Sequence, residues 1–131
     1  MFQNRNGEVV KRFHVVIQGA SAGGTLTLDE QFRYDDGSEQ RRVWRLTRDA
    51  DGRWPDRADD VKGEARGEQA GNALRWQYTL LPVAGHTCEM RFDDRMFLID
   101  ACSMINRASM GKFGIEPGQV TLMFKRRACV P

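Results

Sequence analysis

The chain has 131 residues, one domain's worth, and its 40% hydrophobic and 29% charged content fits a folded globular protein and excludes a disordered one. No stretch approaches the roughly 20 consecutive apolar residues of a membrane helix. Twenty Lys and Arg against 18 Asp and Glu leave a net charge of +2, too near neutral for a dedicated nucleic-acid binder, so no nucleic acid is expected as a partner.

From the N-terminus onward the dominant period is two. Phe13, Val15 and Ile17 alternate with Arg12, His14 and Val16. Leu26, Leu28, Phe32 and Tyr34 then share one face, as do Trp44 with Leu46, and Leu74 with Trp76, Tyr78 and Leu80. Alternation of this kind predicts half-buried strands with one dry and one wet face. The strands are placed at 8–18, 24–35, 39–48, 52–58, 61–69, 72–82, 86–93, 95–100, 103–109 and 119–126. Turn signals separate them, among them Asp35-Asp36-Gly37, Ala70-Gly71-Asn72 and Ala84-Gly85. No window carries a helical stripe. The pattern is an antiparallel meander that closes into a barrel or a sandwich.

Two local readings bear on function. With Asp36-Gly37-Ser38 as a three-residue loop, Phe32 faces Arg42, Glu30 faces Trp44 and Leu28 faces Leu46. This register keeps Trp44 inside and sets Glu30 and Arg42 diagonally on the apolar face, where charges need a partner. They are read as a buried pair, either a structural ion pair or a polar anchor for a ligand headgroup. Second, Val61, Gly63, Ala65 and Gly67 give one strand face almost no side-chain volume. That face either leaves a cavity or is filled by Trp76 and Tyr78.

The remaining motifs are sparse. Three cysteines, Cys88, Cys102 and Cys129, form no even framework and no CxxC. They are read as three reduced thiols, with one bridge and one free thiol as the alternative. His86 and Cys88 supply only two ligand types where a metal site needs three or four, so no metal is expected. There is no GxSxG elbow, GxGxxG or Walker loop, and no cofactor is expected. Asp93-Asp94 is read as a turn; on a strand the two would point to opposite faces. Asn106 to Gly114 is read as a loop over one end of the fold, with Lys112 near its turn and Phe113 as an apolar stopper, because alternation stops near Ser109 and resumes at Val120.

Met1-Phe2-Gln3-Asn4-Arg5-Asn6-Gly7, Leu26-Thr27-Leu28-Asp29-Glu30, Tyr34-Asp35-Asp36-Gly37, Arg41-Arg42-Val43-Trp44, Ala58-Asp59-Asp60-Val61, Gly71-Asn72-Ala73-Leu74-Arg75-Trp76, Phe92-Asp93-Asp94 and Ile105-Asn106-Arg107-Ala108 through Lys112-Phe113-Gly114 form an ordered set of motifs. In these stretches the chain resembles the uncharacterised bacterial lipoprotein family known as domain of unknown function 3833. The resemblance covers nearly the whole chain. It implies a lipocalin-like barrel, a periplasmic lipid-anchored location, and an apolar or lipid-like ligand, since the family's genes often sit near those for fatty-acid modification. It carries no catalytic residues. Members have a signal, a lipid-attachment cysteine and an opening strand ahead of the position of Met1. The expectation is therefore a truncated start with one barrel strand missing and an edge exposed; a genuine start would make the protein cytoplasmic.

The combined expectation is one all-β domain over 1–131, a lipocalin-like antiparallel barrel of about eight to ten strands. Its expected function is non-enzymatic binding of a small apolar or amphipathic ligand in the envelope, with a membrane met only through the anchor. Candidate ligand-binding residues are Glu30, Arg42, Trp44, Trp76, Tyr78, Asn106, Arg107, Lys112 and Phe113. Two rivals are an enzyme on a lipid-like substrate, with Glu30 as base and Arg42 or Lys112 stabilising an anion, and a fully packed structural envelope protein.

Overall fold

The computed structural model describes residues 1–48, 50, 56–58, 60–63, 65–81, 89–112 and 115–129. His86, Cys88, Phe113 and Gly114, and most of the strand expected at 52–58, lie outside the described residues. Eleven strands and no helix are present among those described: β1 (Phe2–Asn4), β2 (Val9–Lys11), β3 (Phe13–Ala22), β4 (Thr25–Tyr34), β5 (Glu39–Thr47), β6 (Asp56–Arg57), β7 (Arg66–Ala70), β8 (Ala73–Leu80), β9 (Met90–Leu98), β10 (Ser103–Lys112) and β11 (Ile115–Lys125). The protein is all-β and antiparallel. Its strands form two sheets, one of seven ordered β2-β1-β11-β10-β9-β8-β7 and one of four ordered β3-β4-β5-β6. Among the described residues no ladder joins the sheets into a closed cylinder. The chain crosses between them at Arg12, where its N–H meets Asp35 Oδ2 at 3.1 Å and its carbonyl accepts from the Asp35 N–H at 3.0 Å. β3 pairs only with β4 among the described strands, so its other side is a sheet edge.

The β4–β5 hairpin departs from the expected register. Glu30 lies directly opposite Arg42, Leu28 opposite Trp44, and Phe32 opposite Gln40. The three-residue loop is Asp35-Asp36-Gly37, one position earlier than expected. Gly37 takes φ +83°, the left-handed conformation that ends such a loop, and the Asp36 carboxylate accepts from the Ser38 N–H at 2.9 Å. The slip amounts to two residues along the partner strand, so every side chain keeps its face.

Three other expectations are corrected. β9 is one strand through Asp93-Asp94, not two strands about a turn. The expected loop from Asn106 to Gly114 is mostly ladder: β10 runs on to Lys112 and pairs with β9 as far as Gly111 opposite Arg91. β11 starts at Ile115, and a register shift between Met110 and Lys112 lies where Pro117, which has no N–H to give, enters the hairpin. Cys102 and Cys129 form a disulfide, so the cysteines are not all reduced. It ties the tail after β11 to the turn between β9 and β10.

The sheets meet where aromatics interlock. Trp44 of β5 lies edge-on to Trp76 (6.0 Å) and Tyr78 (5.1 Å) of β8, and Tyr78 stacks on Phe92 at 5.2 Å. Leu46, Val61 and Ala65 complete this buried cluster. Gly67 belongs to it through absence of bulk: a Cβ there would collide with the Trp76 ring. The small-residue face of β7 is therefore filled by Trp76, one of the two outcomes expected for it, and Gly63 lies in a bend before the strand.

Candidate functional site: a cavity between the sheets

Between the sheets lies a cavity of about 1080 Å³, and the aromatic cluster forms part of its wall. Inward-facing residues at alternate positions build its walls. β4 and β5 supply Leu28, Glu30 and Phe32 with Arg42 and Trp44; β8 to β11 supply Trp76, Tyr78, Asp94, Asn106 and Leu122 among others. The exposed residues lining it are Ser38 and Glu39 beside one hairpin loop, Leu98 and Ala101 beside another, and Lys125 and Arg126 at the end of β11. They mark the mouth. The buried lining residues, Trp44, Leu46, Trp76, Tyr78, Asp94, Asn106 and Ala108, mark the depth.

Charge is distributed along this axis. Lys11, Lys125 and Arg126 line the cavity with Glu39 as the carboxylate at the mouth. Lys11 is held 3.3 Å from Asp36 and lies over the Tyr34 ring. Inside, Arg42 does not form the expected ion pair with Glu30. Its guanidinium binds Asp60, with Nε 2.8 Å and Nη2 2.7 Å from Oδ2. Burial works against the Arg42 charge, and the Asp60 bonds more than offset it, so its pKa is raised. Glu30 instead accepts from Trp44 Nε1 at 3.3 Å. Burial raises its carboxyl above the usual range, and the nearby Arg42 charge only partly opposes this.

Asp94 is the residue that sequence reasoning missed. Continuing the alternation Met90, Phe92, Asp94, Met96 would have put it on the dry face; treating Asp93-Asp94 as a turn cut that alternation. The two do point to opposite faces. Asp93 stands outside, paired with Arg75 at 2.5 Å, while Asp94 is buried and accepts from the Tyr78 hydroxyl at 3.2 Å. Burial pushes the Asp94 carboxyl up to about 7, against the hydrogen bond from Tyr78, and the Glu30 charge adds to the rise. Burial likewise holds the Tyr78 hydroxyl well above its ordinary value.

Six of the nine residues singled out from sequence line this cavity: Glu30, Arg42, Trp44, Trp76, Tyr78 and Asn106. Arg107 does not. It faces outward from β10 and donates to Gln119 Oε1 from Nε (3.1 Å) and Nη2 (2.7 Å). Lys112 ends β10 at the opposite end from Ser103, which lines the cavity, and is not itself among the lining residues. Phe113 is outside the described residues. No group of three or more His, Cys, Asp or Glu that could hold a metal ion occurs among the described residues.

A family model described as Protein of unknown function (DUF3833) matches residues 1–126. The chain belongs to this family. The matched span takes in all eleven strands of this DUF3833 domain and stops short of Cys129, so the disulfide joins the matched region to the tail beyond it. No curated protein and no solved structure matches the chain.

Proposed function

We propose that the protein binds a single-chain amphiphile, its apolar chain between the sheets and its headgroup at the mouth. One observation carries this reading: a cavity of about 1080 Å³, at the upper end of what small-molecule sites occupy, walled by Phe, Leu and Met side chains and opening beside Lys125 and Arg126. A packed structural interior would leave no such space. The basic residues at the mouth suit an anionic headgroup, whereas the interior, with three carboxylates around one guanidinium, does not.

We read the two sheets as halves of a flattened barrel. The Arg12 crossing on one side and the isolated bridge between Val61 and Leu80 on the other support that reading. An envelope location draws support from the Cys102–Cys129 disulfide, because such bonds persist in oxidising compartments.

Native mass spectrometry of the protein purified from its own host tests the proposal. The expected spectrum contains a species heavier by the mass of one amphiphile, which organic extraction releases. A protein that carries nothing, and takes up no long-chain carboxylate when one is added, would refute it.

A further inference from the structure

Asp94 and Asn106 are both more than nine-tenths buried, and both line the cavity. Each leaves one polar atom without a hydrogen-bond partner: Oδ1 of Asp94 and Nδ2 of Asn106. Buried polar atoms are nearly always bonded, so two such atoms in neighbouring residues that line one cavity need a reason. The ladder makes them neighbours. Asp94 is opposite Ala108 and Asn106 opposite Met96, which puts them diagonally across β9 and β10 on the inner face. Ala108, opposite Asp94, contributes only a methyl group to the wall there.

Resting on the amphiphile reading above, we infer that Asp94 and Asn106 recognise a hydroxyl group carried on the ligand's chain, and hence that the ligand class is a hydroxylated long-chain acid. The chemistry selects the group. A hydroxyl is the smallest group that both donates and accepts, so its chemistry matches an orphaned acceptor next to an orphaned donor. The bond to Asp94 survives a change in its protonation, since a hydroxyl donates to a carboxylate and accepts from a protonated carboxyl. A second carboxylate would meet Glu30 and Asp94, with Arg42 already held by Asp60. A plain alkyl chain would leave both polar atoms buried and unpaired, which penalises it relative to a ligand that bonds them.

Isothermal titration of the full-length protein with stearic acid and with hydroxystearic acids, bearing the hydroxyl near the carboxyl, at mid-chain or at the chain end, tests this. At least one hydroxylated acid should bind about tenfold more tightly than stearic acid, or better. Asn106→Leu should erase that preference, so that on this variant the hydroxylated acid and stearic acid bind within about twofold of each other. If stearic acid binds and no hydroxylated isomer exceeds it, the hydroxyl inference fails and the amphiphile reading stands. If no acid binds, the amphiphile reading itself fails. Should Asn106→Leu not fold, the comparison on the unaltered protein still decides; a preference that persists in folded Asn106→Leu also overturns the assignment.

Discussion

Replacing Asp94 by Asn should turn a pH-dependent protein into a much flatter one. The carboxyl titrates at about 7 in the fold against an ordinary 3.8, because burial disfavours its charge. A raised acid favours folding while it is protonated, below its unfolded value, and that advantage is lost as pH climbs through the folded value. The window is therefore about pH 4 to 7. At ~1.4 kcal/mol per pH unit the span is worth about 4 kcal/mol, an upper figure since the fold can relax around the charge. Asn mimics the protonated acid and keeps an acceptor for the Tyr78 hydroxyl. Asp94→Asn should match the parent near pH 4 and exceed it by about 2–4 kcal/mol near pH 8. Glu30 is raised by burial too, so the parent curve contains more than one contribution; the difference between parent and variant isolates Asp94. Urea unfolding across this range, followed by tryptophan fluorescence, measures that difference. Parallel curves for the two proteins would refute the reasoning, since they would mean Asp94 is charged in the fold at no cost.

Arg42→Met should destabilise by about 3 kcal/mol, the low end for a broken buried pair because Asp60 keeps 36% of its side chain exposed; Glu30→Gln should cost under about 1 kcal/mol, both read by chemical denaturation. Gly67→Ala drives a methyl into the Trp76 ring and should cost about 1–3 kcal/mol, with an altered near-ultraviolet circular dichroism band. Of the three cysteines, two are tied up by the disulfide, so alkylation of the unfolded protein should add one label without reductant and three after reduction, counted by intact mass. Cys102→Ser should lower stability by about 2–4 kcal/mol, given 27 residues of separation.

Much of this architecture is legible in period-two alternation. Side chains two apart share a face whatever the register, so Glu30, Arg42, Trp44, Trp76, Tyr78 and Asn106 were placeable together even though the hairpin pairing was out by two residues. Pairing itself depends on where Gly37 sits in its loop, and Asp35-Asp36-Gly37 and Asp36-Gly37-Ser38 differ by one position in a run of turn formers. Partner choice was less legible. Asp60 lies 18 residues beyond Arg42 in an irregular stretch, and nothing local in the sequence points it at β5. Nor does the local sequence show why Gly118 is a glycine: β1 packs there so closely that a Cβ would strike the Gln3 carbonyl and the Phe2 ring. Pairing across the length of the chain decides that position. The same holds for Cys102 and Cys129, which only the return of β11 beside β10 brings together.

The central claim, that an acyl chain lies between the sheets against Trp44 and Trp76, is tested most directly by titrating the protein with dibromostearate and following tryptophan emission. Bromine quenches on contact. A chain in this position gives saturable loss of the blue, buried emission at one equivalent of ligand, reversed by competing stearate. Emission that is unchanged, or quenched only in its red, solvent-exposed part without saturation, would contradict it.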